Sequence, residues 1–207
     1  MSRPSSCCLF LALLCTVLSQ NAHAGQFLEN NFYPGGAGTI GIATGDFNGD
    51  GKVDVVLANS TDHSVGVLLG NGDGSFQLPM DFPGGNSLDY VAVGDFNKDG
   101  HLDVVTVNES KNQVSILLGN GDGTLQTAVP YQTGGSPNWL SVADVNNDGN
   151  LDLVTANREL RVGQGSVSVL LGNGDGTFGP HVEFANGGSR AARIEIVLQE
   201  LSSVSIL

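Results

Sequence analysis

The sequence predicts an all-β protein made of β-propeller-type blades, each of four antiparallel strands, with three full repeats and a partial fourth. Three observations carry this. The same 14-residue pattern begins at Asp46, Asp95 and Asp144, 49 residues apart each time. A second matched pattern, LLGNGDG, follows each of them. No segment before residue 190 has helical periodicity, whereas short β-branched runs separated by Gly and Asn recur throughout.

One unit reads as four strands. Tyr90 to Gly94 alternates apolar and small residues and leads into the Asp-rich loop. Val104 to Val107 is apolar and β-branched, as a buried inner strand requires. Val114 to Leu118 is the third strand, and its end carries the Asn-Gly hairpin signal. Thr124 to Tyr131 is the fourth. Pro130 interrupts it, which suits an outer edge because proline cannot donate to a ladder. Four strands per roughly 50 residues is the period of a propeller blade. The repeats run approximately over residues 37–85, 86–135 and 136–188. In the third, Arg158 to Gly165 is an insertion, so Gly70, Gly119 and Gly172 are spaced by 49 and then 53.

The ends differ from the repeats. Residues 1–24 read as a signal peptide: Arg3, an apolar run from Cys7 to Leu18, then the small-residue cleavage site Ala22-His23-Ala24. The domain proper then spans 25–207, and the expected location is secreted or cell-surface. Lipidation at Cys15 is the weaker reading, because Leu14 stands where a small residue is wanted. FLENNFYPGG (27–36) resembles FQLPMDFPGG (76–85), so a lone fourth strand opens the domain. The tail, 189–207, lacks the Asp pattern. Its Ile194, Ile196, Val197, Leu198, Val204, Ile206 and Leu207 are expected to supply strands that pair toward the opening strand. The rival expectation is an open three-blade wedge that needs more chain or self-association, since three units are fewer than the roughly 4–8 blades of a closed propeller.

Composition narrows function. The chain has 207 residues, 30 of them Gly, and carries 21 acidic against 8 basic side chains for a formal charge of −13. Asp accounts for 15 of the acids and Glu for 6. Nucleic-acid binding needs a basic face and is not expected. No stretch outside the leader approaches membrane-spanning length, so no membrane span is expected. All three cysteines, Cys7, Cys8 and Cys15, fall in the leader, which leaves the remainder without a disulfide or thiolate metal site.

The candidate chemistry lies in the loops, each of which reads D-x-N-x-D-G-x-x-D. The first offers Asp46, Asn48, Asp50 and Asp54, with Lys52 contributing only its main-chain carbonyl. The second offers Asp95, Asn97, Asp99, His101 by its carbonyl, and Asp103; the third offers Asp144, Asn146, Asp148, Asn150 by its carbonyl, and Asp152. Hard oxygens at alternate positions, wrapped on a Gly turn, suit Ca²⁺ better than Mg²⁺, which prefers a rigid octahedron and keeps its waters. Three carboxylates within nine residues repel one another until a cation arrives. An EF-hand is excluded: its bidentate Glu is replaced by Leu57, Thr106 and Thr155, and the flanks are strand sequence. Asx-rich turns without metal are the alternative, and the threefold identity of spacing favours metal. Asp73, Asp122 and Asp175, in the Asn-Gly-Asp-Gly turns, read as turn residues.

GDFNGDGKVD, GDFNKDGHLD and ADVNNDGNLD, with the three LLGNGDG turns, resemble the FG-GAP/VCBS repeats of integrin α-subunit propellers and many exported bacterial proteins. The resemblance covers nearly all of residues 27–188. It implies a β-propeller with Ca²⁺ in the hairpin loops between the first two strands of each blade.

No H-E-x-x-H, G-x-S-x-G or P-loop signature occurs, and His63, His101 and His181 do not cluster in the sequence, so no enzyme is expected. Tyr90 and Trp139, at one repeat position, read as packing or loop-face residues, with sugar stacking as the alternative. Asn59-Ser60-Thr61 and Asn108-Glu109-Ser110 match a glycosylation acceptor by chance. The expected function is an exported calcium-binding module for adhesion or binding, with an unknown protein or glycan as ligand. The alternatives are a non-catalytic scaffold, a truncated piece of a larger surface protein, or an accessory domain of a polysaccharide-active enzyme.

Overall fold

A computed structural model describes residues 33–158 and 165–185. It contains three four-stranded antiparallel sheets, and each sheet is one sequence repeat. The first blade is β1 (Thr39–Gly45), β2 (Asp54–Asn59), β3 (Ser64–Leu68) and β4 (Met80–Pro83). The second is β5 (Leu88–Gly94), β6 (Asp103–Asn108), β7 (Gln113–Leu117) and β8 (Val129–Gln132). The third is β9 (Pro137–Ala143), β10 (Asp152–Asn157), β11 (Ser166–Leu170) and β12 (Val182–Ala185). Strands follow chain order within each sheet, so every connection is a hairpin. The described residues hold no α-helix, only a 3-10 turn at Glu109–Lys111. The leader and the tail lie outside the described residues, and so does the expected partial fourth blade; of the opening segment only residues 33–36 are described, and they form no strand.

The fourth strand is shorter than the sequence implies. Thr124 does not begin it. Leu125 makes an isolated bridge to Gly119, Gln126 N–H donates to Leu118 O at 2.7 Å, and regular pairing resumes only at Val129. The Asn-Gly-Asp-Gly turn consumes the residues that the apolar pattern assigned to the strand. Pro130 sits on β8, which pairs only with β7, so its missing N–H costs no ladder bond.

Strand alternation gives each blade two apolar faces, and the blades stack through them. The leading face of the first blade supplies Val56, Ala58, Val65 and Val67, and it buries them against Leu88, Val91, Val104 and Leu117 on the trailing face of the second. One repeat later, Val105, Val107, Val114 and Ile116 meet Leu140, Leu153 and Leu170. The β1, β5 and β9 strands line up along the line of blade contact, β1 against β5 and β5 against β9. These sheets do not close into a ring. Burying each such Val or Leu contributes roughly 1.5–3 kcal/mol relative to exposure, so these two interfaces hold the fold together.

Small residues let the blades approach. A Cβ on Gly45 would collide with Leu102 Cδ1, and one on Gly94 would lie 2.9 Å from Leu151 Cδ1. Each of these leucines thus fills the space left by a missing side chain on the preceding blade.

Leu140 and Ile42 occupy the same repeat position, but Leu140 is 2% exposed and Ile42 is 66% exposed. Leu140→Ala should therefore cost about 2–5 kcal/mol, whereas Ile42→Ala should stay within about 0.5 kcal/mol. Urea denaturation of dilute protein measures both. Equal losses would show that the two faces are not packed as described.

Candidate functional site

The three Asp-rich loops connect the first two strands of each blade. Asp54 pairs with Gly45, Asp103 with Gly94 and Asp152 with Ala143, so each loop is closed at the base of a hairpin. Two left-handed residues turn each loop. Gly51, Gly100 and Gly149 have φ of 79°, 85° and 85°; two positions earlier stand Gly49 at 71°, Lys98 at 60° and Asn147 at 60°. Glycine takes this conformation without penalty, and lysine does so at a cost.

The first Asp of each loop organises the turn. Asp46 accepts Gly49 N–H at 2.8 Å and Asp50 N–H at 3.2 Å on one oxygen, and Gly51 N–H at 2.9 Å on the other. Asp95 accepts Asp99 N–H at 3.2 Å and Gly100 N–H at 3.0 Å; Asp144 accepts Asp148 N–H at 3.2 Å and Gly149 N–H at 2.9 Å. Asn48, Asn97 and Asn146 each accept the N–H two residues on, at 3.0–3.1 Å. Asp50, Asp99 and Asp148 accept the N–H of Lys52, His101 and Asn150 at 2.7–2.9 Å. These are nested Asx turns, in which side-chain oxygens replace backbone acceptors.

The loops differ at two oxygens, and only Asp46 accepts the N–H three residues on. In the second and third, Asn97 and Asn146 donate Nδ2–H to Asp99 and Asp148 at 2.8 and 2.9 Å. In the first, Lys52 Nζ donates to Asp50 Oδ2 at 3.0 Å, and this hydrogen bond is the leading reason that the Asp50 carboxyl lies below the usual range. The Asp99 carboxyl is also lowered, chiefly by His101 N–H.

The ninth position behaves differently from the others. Asp54, Asp103 and Asp152 are fully buried. Asp54 accepts Phe47 N–H at 2.9 Å and Gly70 N–H at 2.7 Å, one on each oxygen. Asp103 accepts Phe96 N–H and Gly119 N–H, both at 2.8 Å; Asp152 accepts Val145 N–H at 2.9 Å and Gly172 N–H at 2.8 Å. Each carboxylate is thus a strut joining its own loop to the turn that begins 16 or 20 residues later. The approach is so close that a Cβ on Gly70, Gly119 or Gly172 would collide with the carbonyl oxygen of Val53, Leu102 or Leu151. Burial raises the Asp103 and Asp152 carboxyls, and the charges of Asp99 and Asp95, or of Asp148 and Asp144, raise them further.

The sequence reading placed all of these carboxylates in one ligand set and did not find the strut. Its only signal was the invariant Gly after each Leu-Leu pair. The other readings fall out simply. Asp73, Asp122 and Asp175 each accept both the N–H and the hydroxyl of Ser75, Thr124 or Thr177, as turn residues do. Tyr90 and Trp139 stack across adjacent blades with ring centroids 4.6 Å apart. Asn59 and Asn108, the two glycosylation matches, are buried, and their Nδ2 groups donate to Ser64 and Ser115.

The donor chemistry of each loop fits a hard dication: three carboxylates, an amide oxygen and a main-chain carbonyl, with like charges in the second and third held close enough to disturb one another. In the arrangement described, however, those oxygens face backbone N–H groups. No group of three or more His, Cys, Asp or Glu side chains is gathered as a metal would need among the described residues. A carboxylate oxygen that accepts one N–H keeps a second acceptor site, so a cation is compatible in count at every loop carboxylate oxygen except Asp46 Oδ1, which accepts two.

The description "FG-GAP-like repeat" matches residues 46–106 and 95–155. No curated protein matches the chain. Among solved structures, one match is BBS1N in complex with ARL6DN, soaked with lead, at 16% identity and TM-score 0.39, covering 74% of this chain and 57% of that one. Another is the V. cholerae biofilm matrix protein Bap1, at 20% identity and TM-score 0.35, covering 71% of this chain and 28% of that one. The chain therefore spans less than two thirds of the length of either.

Asp103→Asn tests the strut. An amide offers one acceptor to two buried N–H donors, so one donor is left facing an NH₂ group. The expected loss is about 1–3 kcal/mol. Asp122→Asn, on an exposed turn, should cost clearly less. Chemical denaturation of both variants measures this, and equal losses would remove the special role of the ninth position.

Proposed function

The chain belongs to the FG-GAP-like repeat family, and from that premise we propose that it is an exported, calcium-stabilised repeat module that acts by binding or adhesion. The observation that carries the proposal is the threefold D-x-N-x-D-G-x-x-D loop, set each time in the same hairpin with the N–H groups of its fifth and sixth positions donating to its first Asp. Ca²⁺ would be held by Asp46, Asn48, Asp50, Lys52 O and Asp54 in the first loop, and by Asp95, Asn97, Asp99, His101 O and Asp103 in the second. Asp144, Asn146, Asp148, Asn150 O and Asp152 would hold it in the third. The ion's contribution there is positive charge: it neutralises carboxylates that otherwise repel, and it fixes the loop.

The residues do the remaining work. The Asx ladder curls the loop, and the ninth Asp anchors it to the blade. Export is supported by the leader pattern at residues 1–24. A chain with 21 acidic and 8 basic residues is a poor partner for polyanions, so the ligand is expected to be a protein or a neutral glycan.

Calcium should raise the thermal midpoint through preferential binding to the folded state. Replacing Asp50, Asp99 and Asp148 together by Ala should remove most of that rise while leaving the struts intact. Differential scanning calorimetry with Ca²⁺ and with chelator decides the matter: an unmoved wild-type curve defeats the metal reading.

The binding role has its own readout. On a glycan array and in pull-downs from cell-surface protein, specific binding should be present with Ca²⁺ and fall away in chelator. No ligand retained under either condition would leave the module as a scaffold.

A further inference from the structure

The two blade interfaces are built to one plan, and among the described residues an unmatched half of that plan stands at each end. On the leading face, the residues at 56, 58, 65 and 67 and at 105, 107, 114 and 116 are buried by the next blade. Their third-blade equivalents, allowing for the insertion, are Val154, Ala156, Val167 and Val169. Val154 and Val169 are only half-buried, Ala156 is exposed, and Val167 is 38% exposed where Val65 and Val114 are 0%. Trp139, paired with Ala156 in the ladder and stacked on Tyr90 of the second blade, is still 60% exposed.

The trailing face is unmatched at the other end. Val91 and Leu140 are each 2% exposed, while their first-blade equivalent, Ile42, is 66% exposed. Ile40 beside it is 56% exposed. Leu102 and Leu151 fill the spaces at Gly45 and Gly94, while their equivalent, Val53, is 64% exposed. Ala143 holds the matching position on the third blade and is also exposed.

The polar half of the interface repeats the pattern. Gly123 N–H donates to Phe47 O at 2.9 Å and Gly176 N–H donates to Phe96 O at 3.0 Å, in each case reaching back to the preceding blade. The next acceptor in this series is Val145 O, and the preceding donor is Gly74 N–H. Among the described residues neither makes such a bond. A Cβ on Gly123 or Gly176 would press on Leu69 or Leu118 of the preceding blade, whereas one on Gly74 would meet nothing within 4 Å.

We propose that a second copy of this chain docks head to tail, seating the trailing face of its first blade on the leading face of the third. Ile40, Ile42 and Val53 of one copy cover Trp139, Ala156 and Val167 of the other, and Gly74 N–H of the first finds Val145 O of the second. The occupant is a second copy because this chain carries both complementary halves, apolar and hydrogen-bonding alike, in the register that already joins its own blades. Such a contact is heterologous. It closes into a ring if the rotation per blade permits and otherwise extends.

Sedimentation velocity on the full chain, from sub-micromolar to near-millimolar concentration, tests this. Wild type should shift to multi-copy species as concentration rises. Ile42→Glu and Val167→Glu, each at an exposed position, should each sediment as a single copy. An equimolar mixture of the two should recover a two-copy species, because each retains the face that the other has lost. Val53→Glu and Trp139→Ser form a second pair that should behave alike, and far-UV circular dichroism checks that all four remain folded. A wild type that stays single-copy throughout overturns the proposal, and association on deleting residues 190–207 would then identify the tail as the occupant. Variants that associate as wild type does, or a mixture that recovers nothing, overturn it equally.

Discussion

A buried carboxylate that accepts two backbone amides holds each blade in shape. Asp54, Asp103 and Asp152 lie where a charge is expensive, and each is tolerated because both of its oxygens meet N–H donors at 2.7–2.9 Å. The bond to Phe47, Phe96 or Val145 closes the Asp loop. The bond to Gly70, Gly119 or Gly172 pulls the second turn underneath it. Two loops far apart in sequence thereby become one rim. The glycine requirement at the second turn follows from that placement.

The rim and the blade interfaces are coupled. Val53, Leu102 and Leu151 immediately precede the strut residues, and Leu102 and Leu151 are the side chains that enter the glycine spaces of the preceding blade. Phe47 and Phe96 give their N–H to the strut, give their C=O to the next blade, and bury their rings in the two hydrophobic clusters. Local loop chemistry is therefore continuous with the packing that joins one blade to another.

Much of this was legible in the sequence. The 49-residue spacing and the β-branched runs identify the blades, and the strand order follows from them. The Asx turns are visible in D-x-N-x-D-G because Asp and Asn oxygens reach nearby backbone N–H groups. The strut was not legible, because the ninth Asp looks like its neighbours until the fold brings Gly70 against it. Nor was the short fourth strand, where Thr124 and Leu125 carry strand-like character but are held by the turn. The inter-blade bonds were also hidden, since nothing about Phe47 in isolation says that its carbonyl serves the following repeat.

The glycine-for-leucine fit at Gly45 and Gly94 also bears on descent. Each junction requires only what the first two units both carry: a leading face with a gap and a trailing face with a leucine or valine to enter it. A gene that duplicated or lost one of those units would leave every surviving junction chemically unchanged. Blade number is therefore free to vary between relatives by unequal crossing-over, while substitutions within the junction stay constrained at both of its sides together.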